Sequence, residues 1–300
     1  MNEMIALNPI TMKELRIRMR GLRAILPIIS YLAVLGIFIL IRLSDFSREM
    51  EYSQMANRGH ELGFILLYIQ LFLVFLLAPA YAASAITTEK ERDTFGVMQT
   101  TLITSWEIVT GKVFSGFGYA SLLVVSSLPL LSLAFWMGGF ETVHILWGFL
   151  IIISFGFLVT AIGIFLSTLL SRSYVATGAT YGTIIAGFVL GLIFKTLTDN
   201  YYLAVHRPIT SFSWETIPYW LCYSLNPFTM LQSVDMNQTG FYKTNNFYYN
   251  NPVIDGLEYL LNSAGLPYMI MYVVLSLLLS IILLRFAAVL LFRTSREDNP

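Results

Sequence analysis

The stretch Leu62-Gly-Phe-Ile-Leu-Leu-Tyr-Ile-Gln-Leu-Phe-Leu-Val-Phe-Leu-Leu-Ala-Pro-Ala-Tyr-Ala-Ala-Ser-Ala85 holds no charged residue, and the next eight, Ile86-Thr-Thr-Glu-Lys-Glu-Arg-Asp93, carry five charges in a row. About 20 consecutive apolar residues are needed to carry a helix across a ~30 Å hydrocarbon core, so 62–85 reads as a membrane span that ends at the charge run. Five other stretches read the same way: about Ala24 to Ile41, closed by Arg42; Val113 to Trp136; Val143 to Leu170; Tyr174 to Phe194; and Leu266 to about Leu284. Pro27, Pro79 and Pro129 fall in or near these stretches, where membrane helices tolerate them. The composition of the whole chain agrees. Of 300 residues, 56% are hydrophobic and only 12% charged, with mean hydropathy +0.69. A soluble domain needs about a quarter of its residues charged. A soluble enzyme and a disordered chain are excluded. The single cysteine, Cys222, excludes an intramolecular disulfide scaffold. The expected fold class is an all-α polytopic membrane protein with six transmembrane helices. The first span follows a long charged segment and has no small-residue cleavage site after it, so it reads as a retained span.

Loop charges set the expected orientation. With the N-terminus inside, one side carries Lys13, Arg16, Arg18, Arg20, Arg23, Lys90, Arg92, Lys112, Arg172, Arg285, Arg293 and Arg296. The other carries Arg42, Arg48, Arg58, Lys195, Arg207 and Lys243, spread over longer loops. Twelve cations against six place both termini in the cytoplasm and the chain, multi-pass, in the cell inner (plasma) membrane. With 18 basic and 18 acidic residues there is no net charge to attract nucleic acid.

Four segments lie outside the expected spans. Residues 1–23 read as an amphipathic interfacial helix, with Asn8 as its cap and Pro9 at its first position. Met12, Leu15, Met19 and Leu22 form an apolar stripe, and Lys13, Arg16, Arg20 and Arg23 a basic one beside it, suited to anionic headgroups. Such a helix anchors the first span, and the same surface suits the docking of a cytoplasmic partner. Within 24–196, the loop 86–112 reads as a cytoplasmic helical hairpin. Thr88 with Glu91 and Thr104 with Glu107 have capping-box spacing. The charge run is followed by Phe95, Val97, Met98, Leu102 and Ile103, apolar residues that suggest a buried contact with another protein. Ser171-Arg-Ser173 is a minimal turn between the fourth and fifth spans. Residues 197–265 form a long extracytoplasmic loop, rich in aromatics such as Trp214, Tyr219, Trp220, Tyr223 and Phe228. Its stretch from Trp214 to Val234, broken by Pro218 and Pro227, reads as helices lying on or dipping into the outer leaflet, either as an aromatic belt or as a substrate site. Residues 266–300 are the last span and a cytoplasmic tail.

Ionisable groups at mid-span mark ion and proton paths, and the expected spans hold none. Glu61, Glu141, His144, Lys195 and Arg285 all sit at expected ends, with Arg285 long enough to snorkel to the interface. This disfavours a proton- or sodium-coupled transporter and an intramembrane protease. His60, His144 and His206 show no metal-binding spacing, and no Gly-x-Ser-x-Gly occurs with a plausible base. Gly111-Lys112 lacks the rest of a phosphate-binding loop. The chain is therefore read as non-catalytic, with no cofactor of its own.

Three features together resemble the permease subunits of ABC transporters of the type-2 exporter class. The opening Asn8-Pro-Ile-Thr-Met-Lys-Glu-Leu-Arg-Ile-Arg-Met-Arg-Gly21 looks like that family's start. The run from Thr88 to Lys112 is similar to its coupling-helix motif, with Glu89, Glu91, Arg92, Thr94, Gly111 and Lys112 on the pattern and Asp93 where the family usually has Gly. Leu225-Asn-Pro-Phe228 before the last span is similar to another recurrent feature. The resemblance implies a cytoplasmic ATP-binding cassette ATPase on a separate chain, with ATP and Mg bound there, and a second permease chain as homo- or heterodimer. It implies that Thr88, Glu89, Glu91, Arg92, Thr94, Phe95 and Met98 form the ATPase-coupling contact, while Lys13, Leu15, Arg16, Met19 and Arg20 belong to the interfacial helix. The expected function is the membrane-spanning half of an ATP-driven exporter of an amphipathic substrate. The alternative is a non-transporting polytopic protein, such as an assembly factor, sensor or lipid-modifying enzyme, for which the aromatic outer loop would hold a peptide or lipid.

Overall fold

The computed structural model describes residues 22–44, 52–92, 104–138, 140, 142–204, 226–238 and 266–297. The interfacial residues Lys13, Leu15, Arg16, Met19 and Arg20, the hairpin residues Thr94, Phe95 and Met98, and most of the 197–265 loop lie outside them. The described part is helical: α1 (Leu22–Ser44), α2 (Tyr52–Ala82), α3 (Thr87–Glu91), α4 (Ser105–Ser126), α5 (Leu128–Met137), α6 (Thr142–Leu169), α7 (Ser173–Ala204), α8 (Pro227–Gln238) and α9 (Leu266–Glu297). Six segments are long and apolar enough to cross a membrane: Ile25–Ser44, Met55–Glu91, Ser105–Met137, Thr142–Leu169, Ser173–Phe194 and Met269–Phe292. Their large apolar side chains face outward as well as inward: Leu40, Phe72, Phe114, Leu146, Leu190 and Ile282 are all exposed. Hydrocarbon, unlike water, imposes no cost on such a surface.

Helix α6 is the centre of the bundle, with α2, α4, α7, α8 and α9 packed against it. Its contact with α2 is close because glycines on α6 meet side chains at matching intervals on α2. A Cβ at Gly148 would strike Leu67, one at Gly156 would press on Val74, and one at Gly163 would lie 2.7 Å from the Ala82 Cβ. The two helices therefore run parallel, small residue against larger one, as membrane helices do when packing alone drives association.

The third span is not one helix. It breaks at Ser127, which separates α4 from α5, and Pro129 occupies the second position of the new helix. Ser127 bonds its hydroxyl to the Val124 carbonyl at 2.6 Å. The amide of Gln70, in the middle of α2, donates to that hydroxyl. Both groups are wholly buried, and the tie joins α2 to the third span where its helix is interrupted. Pro79 similarly deprives the Phe75 carbonyl of an amide donor, and the Tyr181 hydroxyl of α7 donates to the neighbouring Leu76 carbonyl.

Two expectations change in outline. The last helix continues to Glu297, with its apolar segment reaching Phe292, so Arg285 lies within it and not at its end. Its guanidinium sits 4.5 Å over the Trp106 ring at the start of α4, a cation–π contact in place of free snorkelling. In the 197–265 loop, Asn226 caps α8 by accepting the Phe228 amide at 2.9 Å, with Pro227 at the first helical position. Met230 and Leu231 are fully buried against α2 and α6, and Phe228 stacks on Tyr68. This part of the loop is a component of the bundle.

Candidate functional site

The charge run folds back onto the molecule that carries it. Helix α3 is a single turn-and-a-half that follows α2 after the turn 83–86. The capping-box spacing of Thr88 and Glu91 is not used. The helix starts one residue earlier, at Thr87, no side chain caps it, and the residue before it, Ile86, already has helical backbone angles. Because the chain arrives from α2 in near-helical geometry, the upstream carbonyls of Ser84 and Ile86 already take the amides of Thr88, Glu89 and Lys90. The Glu91 side chain is thereby free to reach elsewhere. The second box does form: Thr104 Oγ1 accepts the Glu107 amide at 3.3 Å, and Glu107 Oε2 accepts the Thr104 amide at 2.8 Å, starting α4.

Each of three consecutive charges on α3 takes a different helix. Glu89 Oε1 accepts from Lys112 Nζ on α4 at 2.9 Å. The Lys112 side chain is 1% exposed against 25% for Glu89, and the ammonium also donates to the Ala85 carbonyl at 2.8 Å. A cation this deep is tolerable only with such partners. Lys90 Nζ reaches the last carbonyls of α6 and the residue after it: Thr168 at 2.6 Å, Leu170 at 3.2 Å and Ser167 at 3.4 Å. Glu91 takes the start of α7, accepting the Ser173 amide at 2.7 Å and the Ser173 hydroxyl at 2.8 Å. A cation thus meets the negative end of one helix and an anion the positive end of the next, the favourable sense for both dipoles.

Ser167 completes the junction from α6. Its hydroxyl oxygen accepts the amides of Ile86 and Thr87, both at 2.9 Å. Ser173 Oγ, whose one proton goes to Glu91, lies 3.0 Å from Thr87 Oγ1 and 3.5 Å from Thr88 Oγ1. Below these contacts Ala82, Ile86, Val109, Val113, Ala161 and Ile164 form an apolar cluster with Leu284, Ala287 and Leu291 of α9. One short helix is therefore bonded to α4 and to the facing ends of α6 and α7, and the apolar cluster around the Ile86 that precedes it reaches α9.

Of the expected coupling residues, the structure brings Thr88, Glu89 and Glu91 together in this junction, and Arg92 is exposed beside them. Thr94, Phe95 and Met98 belong to the segment that joins α3 to α4, outside the described residues. Lys90, Ser167 and Ser173 were absent from the expected site, and Lys112 entered it only through the resemblance. The legible signal for them was weak: a Lys and a Glu adjacent in a charge run, and a serine on each side of Arg172. Nothing local says that these distant segments meet. Among the described residues, no three His, Cys, Asp or Glu side chains gather into a metal-binding group. Compared with known protein families and with curated sequences, the chain matches none of them.

Proposed function

We propose that this chain is the membrane-spanning permease subunit of an ATP-driven ABC exporter, coupled through the α3–α4 loop to an ATPase on a separate chain. The observation that carries the proposal is the bonding of α3 to α4, α6 and α7 at once. A partner pressing on the loop between Arg92 and Thr104 moves α3 and the start of α4 together, and the ends of α6 and α7 follow because they are bonded to α3. Packed helices carry such a displacement as rigid bodies. In this account Glu89, Lys90 and Glu91 transmit force inside the permease. Phe95 and Met98, with Arg92 and Thr94, are left to meet the ATPase, which binds ATP and Mg. A second permease chain faces the first, and an amphipathic substrate passes between them. The junction lies on the cytoplasmic side, together with both termini.

Reconstituting the chain with an ATP-binding cassette ATPase that co-purifies with it tests the proposal. Phe95→Ala, which removes an apolar anchor and no charge, should weaken association and lower transport while the isolated ATPase keeps its basal hydrolysis. Wild-type transport with unchanged ATPase affinity refutes the assigned contact. Activity in liposomes without ATP, from a preparation with no ATPase subunit, refutes the exporter reading itself.

A further inference from the structure

At the end of the bundle opposite α3, a small cleft opens between α1, α2 and α5, lined by Arg42, Arg58, Glu61, Leu62, Ile65 and Met137. Arg42 stands in the last turn of α1. Arg58, Glu61, Leu62 and Ile65 are spaced i, i+3, i+4 and i+7 along α2, so they share one face. The cleft therefore has a charged mouth and an apolar wall. Leu62 and Met137 are buried, whereas both arginines and Glu61 are exposed. Among the described residues no carboxylate pairs with Arg42 or Arg58, although Glu61 stands one turn from Arg58. Next to Met137, Trp136 is 78% exposed at the end of the third apolar segment, the kind of position where tryptophan anchors a span.

From this arrangement we infer that the cleft binds one anionic phospholipid, its phosphate between Arg42 and Arg58 and its upper acyl chain along Ile65, over the buried Leu62 and Met137. The lining carries two guanidiniums against one carboxylate, and planar forked donors match phosphate oxygens. The apolar wall continues directly below the cations, which suits a ligand with a charged head and a hydrocarbon tail and gives a free anion no advantage. Basic niches between spans take lipid headgroups for this reason. Glu61 sets the selectivity: it opposes a second negative charge. The site requires only the six-span reading and is independent of coupling to an ATPase.

Native mass spectrometry of the full chain in neutral detergent, titrated with phosphatidylglycerol, reads the site. One lipid should bind in preference to phosphatidylcholine. Replacing one arginine by Gln should weaken binding about fivefold and replacing both roughly thirtyfold, at ~1 kcal/mol for each cation near the headgroup. Arg58→Lys, which keeps the charge and loses the fork, should fall between wild type and Arg58→Gln. Glu61→Gln should tighten binding, a direction that damage to the fold does not produce. Lipid-free melting temperatures should match wild type. Unchanged affinity in Arg42→Gln/Arg58→Gln overturns the site, as does weaker binding in Glu61→Gln. Displacement of the lipid by equimolar glycerol phosphate or inorganic phosphate overturns the lipid assignment in favour of a soluble phosphate ligand.

Discussion

Lys112→Met perturbs the junction at its most buried charge. The substitution keeps side-chain volume and apolar contacts and removes the ammonium. Two acceptors then lose a donor, Glu89 Oε1 and the Ala85 carbonyl. Breaking a fully buried pair costs about 3–5 kcal/mol, because the surviving charge stays behind without compensation. Glu89 retains 25% exposure, so water recovers part of that loss, and a value below that range, about 2–3 kcal/mol including the carbonyl, is expected. Glu89→Gln/Lys112→Met should recover part of it, since the stranded charge is gone, and the double-mutant cycle should return a coupling of roughly 1–2 kcal/mol. Steric trapping in bicelles measures unfolding free energies for all four proteins. Hydrogen exchange then shows where the loss falls, with residues of α3 and the first turns of α4 opening before α1. A destabilisation under about 0.5 kcal/mol, with additive single effects, would refute the claim that this pair holds α3 to α4.

Three other substitutions probe different contacts. Glu91→Ala removes the acceptor at the start of α7 and should speed amide exchange in the first turn after Ser173 and nowhere else; unchanged exchange there contradicts the cross-helix cap. Gly163→Ala places a Cβ 2.7 Å from that of Ala82 and should lower stability by about 1–3 kcal/mol, whereas Gly178→Ala, with nothing within 4 Å, should leave the melting temperature unchanged. Gln70→Leu should cost no more than about 1 kcal/mol, because hydrogen bonds between membrane helices are modest and Ser127 keeps its bond to Val124; a loss several times larger would mean that the break in the third span depends on the amide.

Span positions were readable because hydrocarbon demands a long apolar run whatever the helix packs against. The fourth expected span, Val143 to Leu170, agrees to within a residue with α6. The Thr104–Glu107 box was readable for a similar reason, since both partners are local. The same motif at Thr88–Glu91 misled because a capping box assumes that the chain enters from an extended segment. Here it enters from α2 nearly helical, and Ser173, 82 residues away in sequence, takes the carboxylate. The Lys112 and Lys90 contacts were hidden for the same reason: each needs two span ends side by side. Hydropathy also places Arg285 too near the end of its helix, because a charge interrupts an apolar run even when an aromatic ring, here Trp106, receives it. The break at Ser127 was only half visible, as a proline whose consequence depended on Gln70 across the interface.

Cross-linking from the loop between Arg92 and Thr104 tests the central claim most directly. A photoreactive residue in place of Phe95 or Met98, introduced in the native cells, should capture the proposed ATPase. The captured chain should contain a phosphate-binding loop, and the yield should change when ATP hydrolysis is blocked. The same probe in place of Trp136, at the other end of the bundle, should capture none of it. Cross-links only to lipid from the loop positions, or equal capture of the ATPase from Trp136, would contradict the account.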